Sequence, residues 1–292
     1  MSTVAHPFQT PRSAHSVGRQ LANGLAIVFT LACAGFAVVI LLYLLLYVLR
    51  QGLPYLDLAF FTQLPTPNGE PGGGMTEAIV GTVLLVGVAS LVGVPLGVFT
   101  GVYLSEVGRG SFAAFIRFLV GVLTGVPTII FGLFAWALIV IPAHTFSGLA
   151  GGVALGIIMI PIVASTSEDV LRLVPHELRE ASLALGATEA RTILRVVLPA
   201  ASRGIITGIV LAMARVAGET APLLMTAFGT PFLNTDVTQP MDALPLRIFV
   251  FTESPYQIQV NQAYAGAVVL ILLILLASFA VRFATGGFKP RG

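Results

Sequence analysis

The stretch ARVAGETAPLLM, residues 214–225, carries an arginine and a glutamate four residues apart inside a run that is otherwise largely apolar. A guanidinium presents forked N–H donors that match the oxygens of a tetrahedral oxyanion. A carboxylate beside it repels most anions. It accepts a hydrogen bond, however, from an anion that still holds a proton, as hydrogen phosphate does at neutral pH and sulfate does not. A site with an acceptor left unpaired disfavours the ligand lacking the donor. Arg215, Glu219 and the adjoining Thr220 are therefore the residues expected along a pathway for such an ion. The competing reading is a self-neutralising pair with a structural role, since positions i and i+4 share a helix face.

The surroundings make these charges informative. The chain of 292 residues is 56% hydrophobic and 10% charged, where a soluble domain is roughly 25% charged. Five stretches hold no charge, residues 25–49, 78–104, 118–143, 146–167 and 263–281, and a sixth, 204–232, is broken only by Arg215 and Glu219. About 20 apolar residues cross the hydrocarbon core of a bilayer, so the pattern predicts an all-α integral membrane protein with six spans. Arg215 lies 11 residues beyond Gly204, which at 1.5 Å per residue puts it roughly 16 Å deep, near the midplane. A charge there costs on the order of 2.5–3.5 kcal/mol on insertion scales, and an ionisable residue at that depth is a functional candidate by default.

Lysine and arginine predict the orientation. With the N-terminus inside, twelve of the fifteen basic residues fall in inside segments, Arg50 and Arg247 fall outside and Arg215 lies in the membrane. Both termini are expected in the cytoplasm, with residues 1–20 a polar tail and 21–292 the membrane domain. The apolar run after Asn23 is about twice the length of a signal-peptide core and is followed by no small-x-small cleavage site, so it reads as the first span. Residues 51–76 hold LPTPNGEPGGG, a turn-forming external loop. The external segment 229–262 contains LRIFVF, either an interfacial or re-entrant piece or an ordered loop on the bundle.

Glycines four apart (Gly93, Gly97 and Gly101; Gly121 and Gly125; Gly152 and Gly156) let helix backbones approach. Pro95, Pro127 and Pro161 are expected to bend the helices they interrupt. Cys33 stands alone, which excludes a disulfide framework. His6, His15, His144 and His176 are scattered without metal-ligand spacing, and no cofactor is expected.

The inside connection 168–203 is long, charged and patterned. Pro175 suits a helix start. HELREASLAL then sets Leu178, Ala181, Ser182 and Leu185 on one face, expected to be the inner one, and Gly186 supplies a stop. A second helix can begin at Thr188, with Ala190, Ile193, Leu194 and Val197 inward, and end at Pro199. Arginines are expected on the exposed side. Such helices lie on lipid headgroups or dock into a groove of a cytoplasmic partner.

EASLALGATEARTILRVVLP, residues 180–199, resembles the EAA signature of bacterial ABC-importer permeases. Glu180, Ala181, Gly186, Val196, Leu198 and Pro199 fall at matching positions, and only Val196 departs, where isoleucine is usual. The resemblance implies a six-helix type I importer bundle whose cytoplasmic coupling helix, with Glu180, Ala181, Gly186, Leu198 and Pro199 in its signature, sits in a cleft of the ATPase subunit. ARVAGETAPLL, GVPTIIFGLF (125–134), EAIVGTVLLV (77–86) and YAGAVVLILL (264–273) are similar to the PstA type of phosphate-importer permease, and together with the EAA segment they fall in four of the six expected spans and in the long inside connection. The paralogous PstC type tends to have Met-Ala after Gly-Glu-Thr, where this chain has Ala-Pro. That likeness implies phosphate as cargo, a PstC-like sister permease, a PstB-like ATPase dimer and an external PstS-like binding protein that sets most of the selectivity.

The only lysine, Lys289, lies in GGFKPRG, so no phosphate-binding loop ending in Gly-Lys-Ser/Thr is present. ATP-driven transport would need a second chain to hydrolyse ATP. Importers of molybdate, sulfate or phosphonate share the EAA segment and remain an alternative. A stand-alone channel or secondary transporter leaves the patterned 168–203 segment unexplained, and a membrane enzyme lacks any nucleophile motif. The bilayer is an expected partner and nucleic acid is not.

Overall fold

The computed structural model describes residues 14–284, and among these the secondary structure is helical apart from one bridge between Phe228 and Met241. The order is α1 (Ala14–Gly52), a 3-10 turn (Leu53–Tyr55), α2 (Leu58–Thr62) and α3 (Thr76–Val102), which runs into a π turn (Tyr103–Val107). Next come α4 (Gly110–Gly125), α5 (Thr128–Ala135), a π turn (Trp136–Val140), α6 (Ile141–Ala143) and α7 (Gly148–Arg172). Then come α8 (His176–Ala184), α9 (Glu189–Thr192), a third π turn (Ile193–Val197), α10 (Leu198–Val216), α11 (Ala221–Thr226), α12 (Leu244–Thr252) and α13 (Gln257–Ala284). The chain divides after Arg50 into two compact units, and the packing of α2 to α13 lies within the second. The first contains most of α1, which begins at Ala14, inside the segment expected to be a tail; residues 1–13 lie outside the described part.

Among the described residues, five helices are long and apolar enough to cross a bilayer. In hydrocarbon every backbone donor must be satisfied within its segment, and the helix does this. The third expected span is the exception: α4 and the stretch Thr128–Ala143 meet at 101°. Pro127 has no N–H and forces Val126 into extended backbone (φ −72°, ψ 133°), so the helix stops at Gly125. Pro95 and Pro161, by contrast, lie inside helices that continue past them.

Two further breaks differ from expectation. The fifth span, expected to be continuous over 204–232, stops at Val216 and resumes at Ala221 with Pro222 in its first turn. Pro199, in turn, ends nothing: Glu189–Val216 is one continuous helical stretch, and the π turn before Pro199 widens the ladder where a proline would otherwise crowd the preceding turn.

α7 is the axis of the bundle. Gly93, Gly97 and Gly101 of α3 press so closely on it that an added Cβ would stand 2.6 Å from Met159, Val163 and Ser167 in turn. Gly152 and Gly156 receive Val88 and Val92 from the other side of the same contact. Gly204 and Gly208 bring α10 against Val170 and Thr166 of α7. Gly121 and Gly125 share the spacing but meet no atom within 4 Å. The core so formed includes Leu85, Ala89, Leu155, Ile158, Met159, Val163, Ala212 and Leu223.

At the end of the bundle where α3 and α13 begin, LRIFVF lies in α12, which buries Leu244 and Phe251 among Phe60, Met75, Ala263 and Val269, and Leu246 in the core with Leu223 and Met241. Asp57 caps α2 through the Phe60 N–H at 2.8 Å. Gln259 donates to Asn68 and Gln262 to the Gly72 carbonyl, fastening the loop before α3 onto α13. Arg247 of α12 lies 3.5 Å from Glu77 and is paired with Asp242, all three side chains nearly buried. Both Glu77 oxygens and the Arg247 Nε lack a hydrogen-bond partner. Burial pushes the Asp242 carboxyl above its ordinary range, against the pull of Arg247.

Candidate functional site

The two interrupted spans meet. At Gly132 of α5 an added Cβ would lie 2.5 Å from the Cα of Pro222 in α11, so the second half of each broken span packs on the other. Arg215 occupies the last turn of α10 and is exposed. Its side chain lines a crevice of about 10 Å³ with Thr124, Val126 and Thr128 at the bend of the third span and Ile158, Pro161 and Ile162 of α7. That is room for about one water.

Glu219 is not on a shared helix face with Arg215, because α10 ends between them. Ala217 N–H reaches Met213 at 2.9 Å, and Glu219 N–H closes only a tight turn onto Val216 at 3.1 Å. Glu219 is half-buried in the gap. The competing reading of a self-neutralising pair is not met, since the ion pairs among the described residues join Arg117 and Arg172 to Glu168, Arg179 to Glu106, and Arg247 to Glu77 and Asp242. The half-buried Thr220 has its hydroxyl 3.4 Å from the Pro245 carbonyl of α12. No group of three or more His, Cys, Asp or Glu among the described residues could hold a metal ion.

A second region lies at the other end of α3 and α7. α8 stands out from the bundle with none of its residues buried. Gly186 ends its turn at φ +81°, a left-handed position that glycine adopts freely. Thr188 caps α9 through the Arg191 N–H. Glu180, Ala181 and Pro199 are exposed and Leu198 is half-buried.

The expected facing of these helices is corrected. Leu178 and Ala181 are exposed, Leu185 is 90% exposed, and the side that turns inward carries Arg179 and Ser182. Ser182 shares a 2.8 Å hydrogen bond with Thr192 of α9. On the following segment Thr192 and Val197 are buried, Ile193 is half-buried, and Ala190 and Leu194 are exposed. Arg191, Arg195 and Arg203 do face outward; Arg179 does not. Its guanidinium grips both carboxylate oxygens of Glu106, at 3.0 and 2.8 Å, and donates to the Val174 and Leu171 carbonyls. The bond to Glu106 raises the Arg179 pKa above its ordinary value. Beside it, one oxygen of Glu168 accepts from Arg117 at 2.7 Å and from Arg172 at 2.6 Å. Glu106, Arg117, Arg172 and Arg179 line a cleft of about 630 Å³.

Sequence reasoning missed Glu106, Arg117 and Glu168 as partners. Their only signal is that each closes an apolar run at the same predicted side of the membrane.

Two solved structures place the architecture. The chain superposes on an alginate ABC transporter bound to its periplasmic protein with a TM-score of 0.65 at 14% identity, over 93% of this chain and 97% of that one. It superposes on the inward-facing MetNI methionine ABC transporter at 0.58 and 20% identity, over 74% and 95%. The fold is that of an ABC type I importer permease, a membrane component that is not itself an enzyme. The particular lineage follows from sequence. Residues 93–291 match the family described as binding-protein-dependent transport system inner membrane component, and this chain belongs to that family. It is 41% identical to the phosphate transport system permease protein PstA of Yersinia pestis over 90% of each chain. It is 42% identical to the PstA of Haemophilus influenzae over 83% of this chain and 86% of that one. The probable PstA of Methanocaldococcus jannaschii is 35% identical over 92% and 96%.

Proposed function

We propose that this chain is the PstA-type permease subunit of an ATP-driven phosphate importer. It forms half of the translocation pathway with a PstC-like sister permease. A PstB-like ATPase pair docks on α8, and a PstS-like protein delivers phosphate at the α12 end. Both termini and α8 lie in the cytoplasm, as the distribution of arginine supports.

The observation that carries this reading is Arg215: an exposed guanidinium outside every ion pair among the described residues, beside the junction of two broken spans. Broken helices at membrane depth are tolerated where they line a cavity or are buried in protein. A free fork there can take two oxygens of a phosphate, and Glu219 accepts a hydrogen bond from the proton the anion still holds. An importer of molybdate, sulfate or phosphonate is the second reading; Glu219 weighs against sulfate, which offers no proton to it.

The test is ATP-dependent uptake in vesicles containing all four kinds of subunit. Arg215→Lys keeps the charge and loses the fork, and lowers phosphate uptake roughly tenfold, as the loss of one charge-assisted hydrogen bond would. Glu219→Gln weakens discrimination against sulfate and changes the pH profile of uptake. Full activity of the lysine variant, with unchanged kinetics across pH in the glutamine variant, overturns the assignment.

A further inference from the structure

α8 must pass on whatever motion its partner imposes, yet its peptide connections are poor levers. On one side Gly186 is left-handed and open, with nothing within 4 Å of where a Cβ would be. On the other, Val174 and Pro175 form a short non-helical link to α7. A peptide joint of this kind transmits position but not orientation. The side chain that fixes orientation is Arg179, which α8 sends inward to the carboxylate of Glu106 and to two carbonyls at the C-terminal end of α7, that of Leu171 in its last turn and that of Val174 just past it.

The pair is well built for load. The Arg179 and Glu106 side chains are 16% and 7% exposed, and a bidentate guanidinium–carboxylate contact restrains direction as well as distance. Glu106 sits in the π turn at the end of α3, and Ser105 donates to the same carboxylate at 2.8 Å. The π turn inserts an extra residue per turn and so re-aims the chain beyond it. From there α3 is locked to α7 by the glycine contacts at Gly93, Gly97 and Gly101. α7 in turn carries Ile158, Pro161 and Ile162 to the crevice at Arg215.

We infer that the Arg179–Glu106 fork is the strut through which α8 turns α3 and α7 as a unit, making Arg179 a positioning residue for transport. This rests on the reading of α8 as the ATPase-docking element. Spatial continuity alone does not establish coupling, so the test reads coupling itself.

In vesicles holding the complete complex, phosphate moved per ATP hydrolysed is measured for Arg179→Lys, Glu106→Gln and the exchanged pair Glu106→Arg with Arg179→Glu. Each single variant lowers the ratio by about fivefold or more, the lower end for coupling between two sites, and the exchanged pair recovers part of it. A ratio equal to the parent in both single variants overturns the strut. A second measurement needs neither the cargo nor an active variant. Spin labels at Glu177 and Val107, both exposed, in a Cys33→Ser background report the α8–α3 separation with and without ATP. The parent holds one separation in both states, and Arg179→Met broadens it. A parent separation that changes with ATP also overturns the strut. A complex that hydrolyses ATP but moves no phosphate, with the label separation constant, defeats the cargo assignment and leaves the strut standing.

Discussion

Arg247 of α12 reaches Glu77 in the first turn of α3 at 3.5 Å while pairing with Asp242 on its other side, so one cation holds two nearly buried carboxylates at one end of the bundle. The centre of the Phe251 ring lies 5.3 Å from the same guanidinium, and Arg247 Nη2 also donates to the Thr230 carbonyl at 2.9 Å. Removing one member of a buried pair leaves an uncompensated charge, a loss of about 3–5 kcal/mol. Arg247→Met is expected to lower the thermal midpoint of the detergent-purified protein by that equivalent. The loss has a sign in pH. The Asp242 carboxyl lies above its ordinary range because it is buried. Its folded form therefore holds its proton where the unfolded form has lost it, and stability falls as pH rises through the folded value. With Arg247 gone the defect should ease as pH falls, since protonation removes the stranded charge. A defect that grows on acidification counts against the arrangement.

The α3–α7 seam makes a paired prediction. Gly97→Ala would place a methyl 2.6 Å from the Val163 Cβ and 3.1 Å from the Ile160 carbonyl, and overpacking of this kind costs about 1–3 kcal/mol. Gly87→Ala on the same helix meets nothing within 4 Å and should leave the midpoint unchanged. Equal effects of the two substitutions in thermal unfolding would remove the seam as the organising contact.

The outward leucines of the cytoplasmic elbow proposed above, the α8–α9 segment, give a third. Leu185 is 90% exposed and Leu178 is 45% exposed, so a glutamate at either position leaves the fold intact. On the proposed docking role, Leu178→Glu with Leu185→Glu abolishes co-purification of the ATPase subunit while the permease keeps its thermal midpoint. Undiminished co-purification places the ATPase elsewhere.

The membrane class and the approximate positions of the spans are legible in the residues, from five uncharged stretches and a sixth carrying only Arg215 and Glu219, because hydrocarbon tolerates few other patterns. The two short helices of the elbow and the turn at Gly186 are legible as well, from local proline, glycine and capping chemistry. Which way the elbow faces is not. Helical spacing groups Leu178 with Leu185, but only the position of Glu106, 73 residues before Arg179, decides that the arginine turns inward.

The same division runs through the candidate pathway. That Arg215 and Glu219 both stand in an apolar run is a property of the chain read alone, as is the chemistry a guanidinium and a carboxylate can offer an oxyanion. Their separation into a helix end and a gap is not, since spacing of four implies pairing only while the helix continues. Pro222, packed against Gly132 of the other broken span, is seated by partners distant in sequence. Composition sets the solvent in which a segment must live, and local residues set where a helix can stop. Which charge finds which partner depends on packing between segments far apart in the chain, and only the folded structure supplies that.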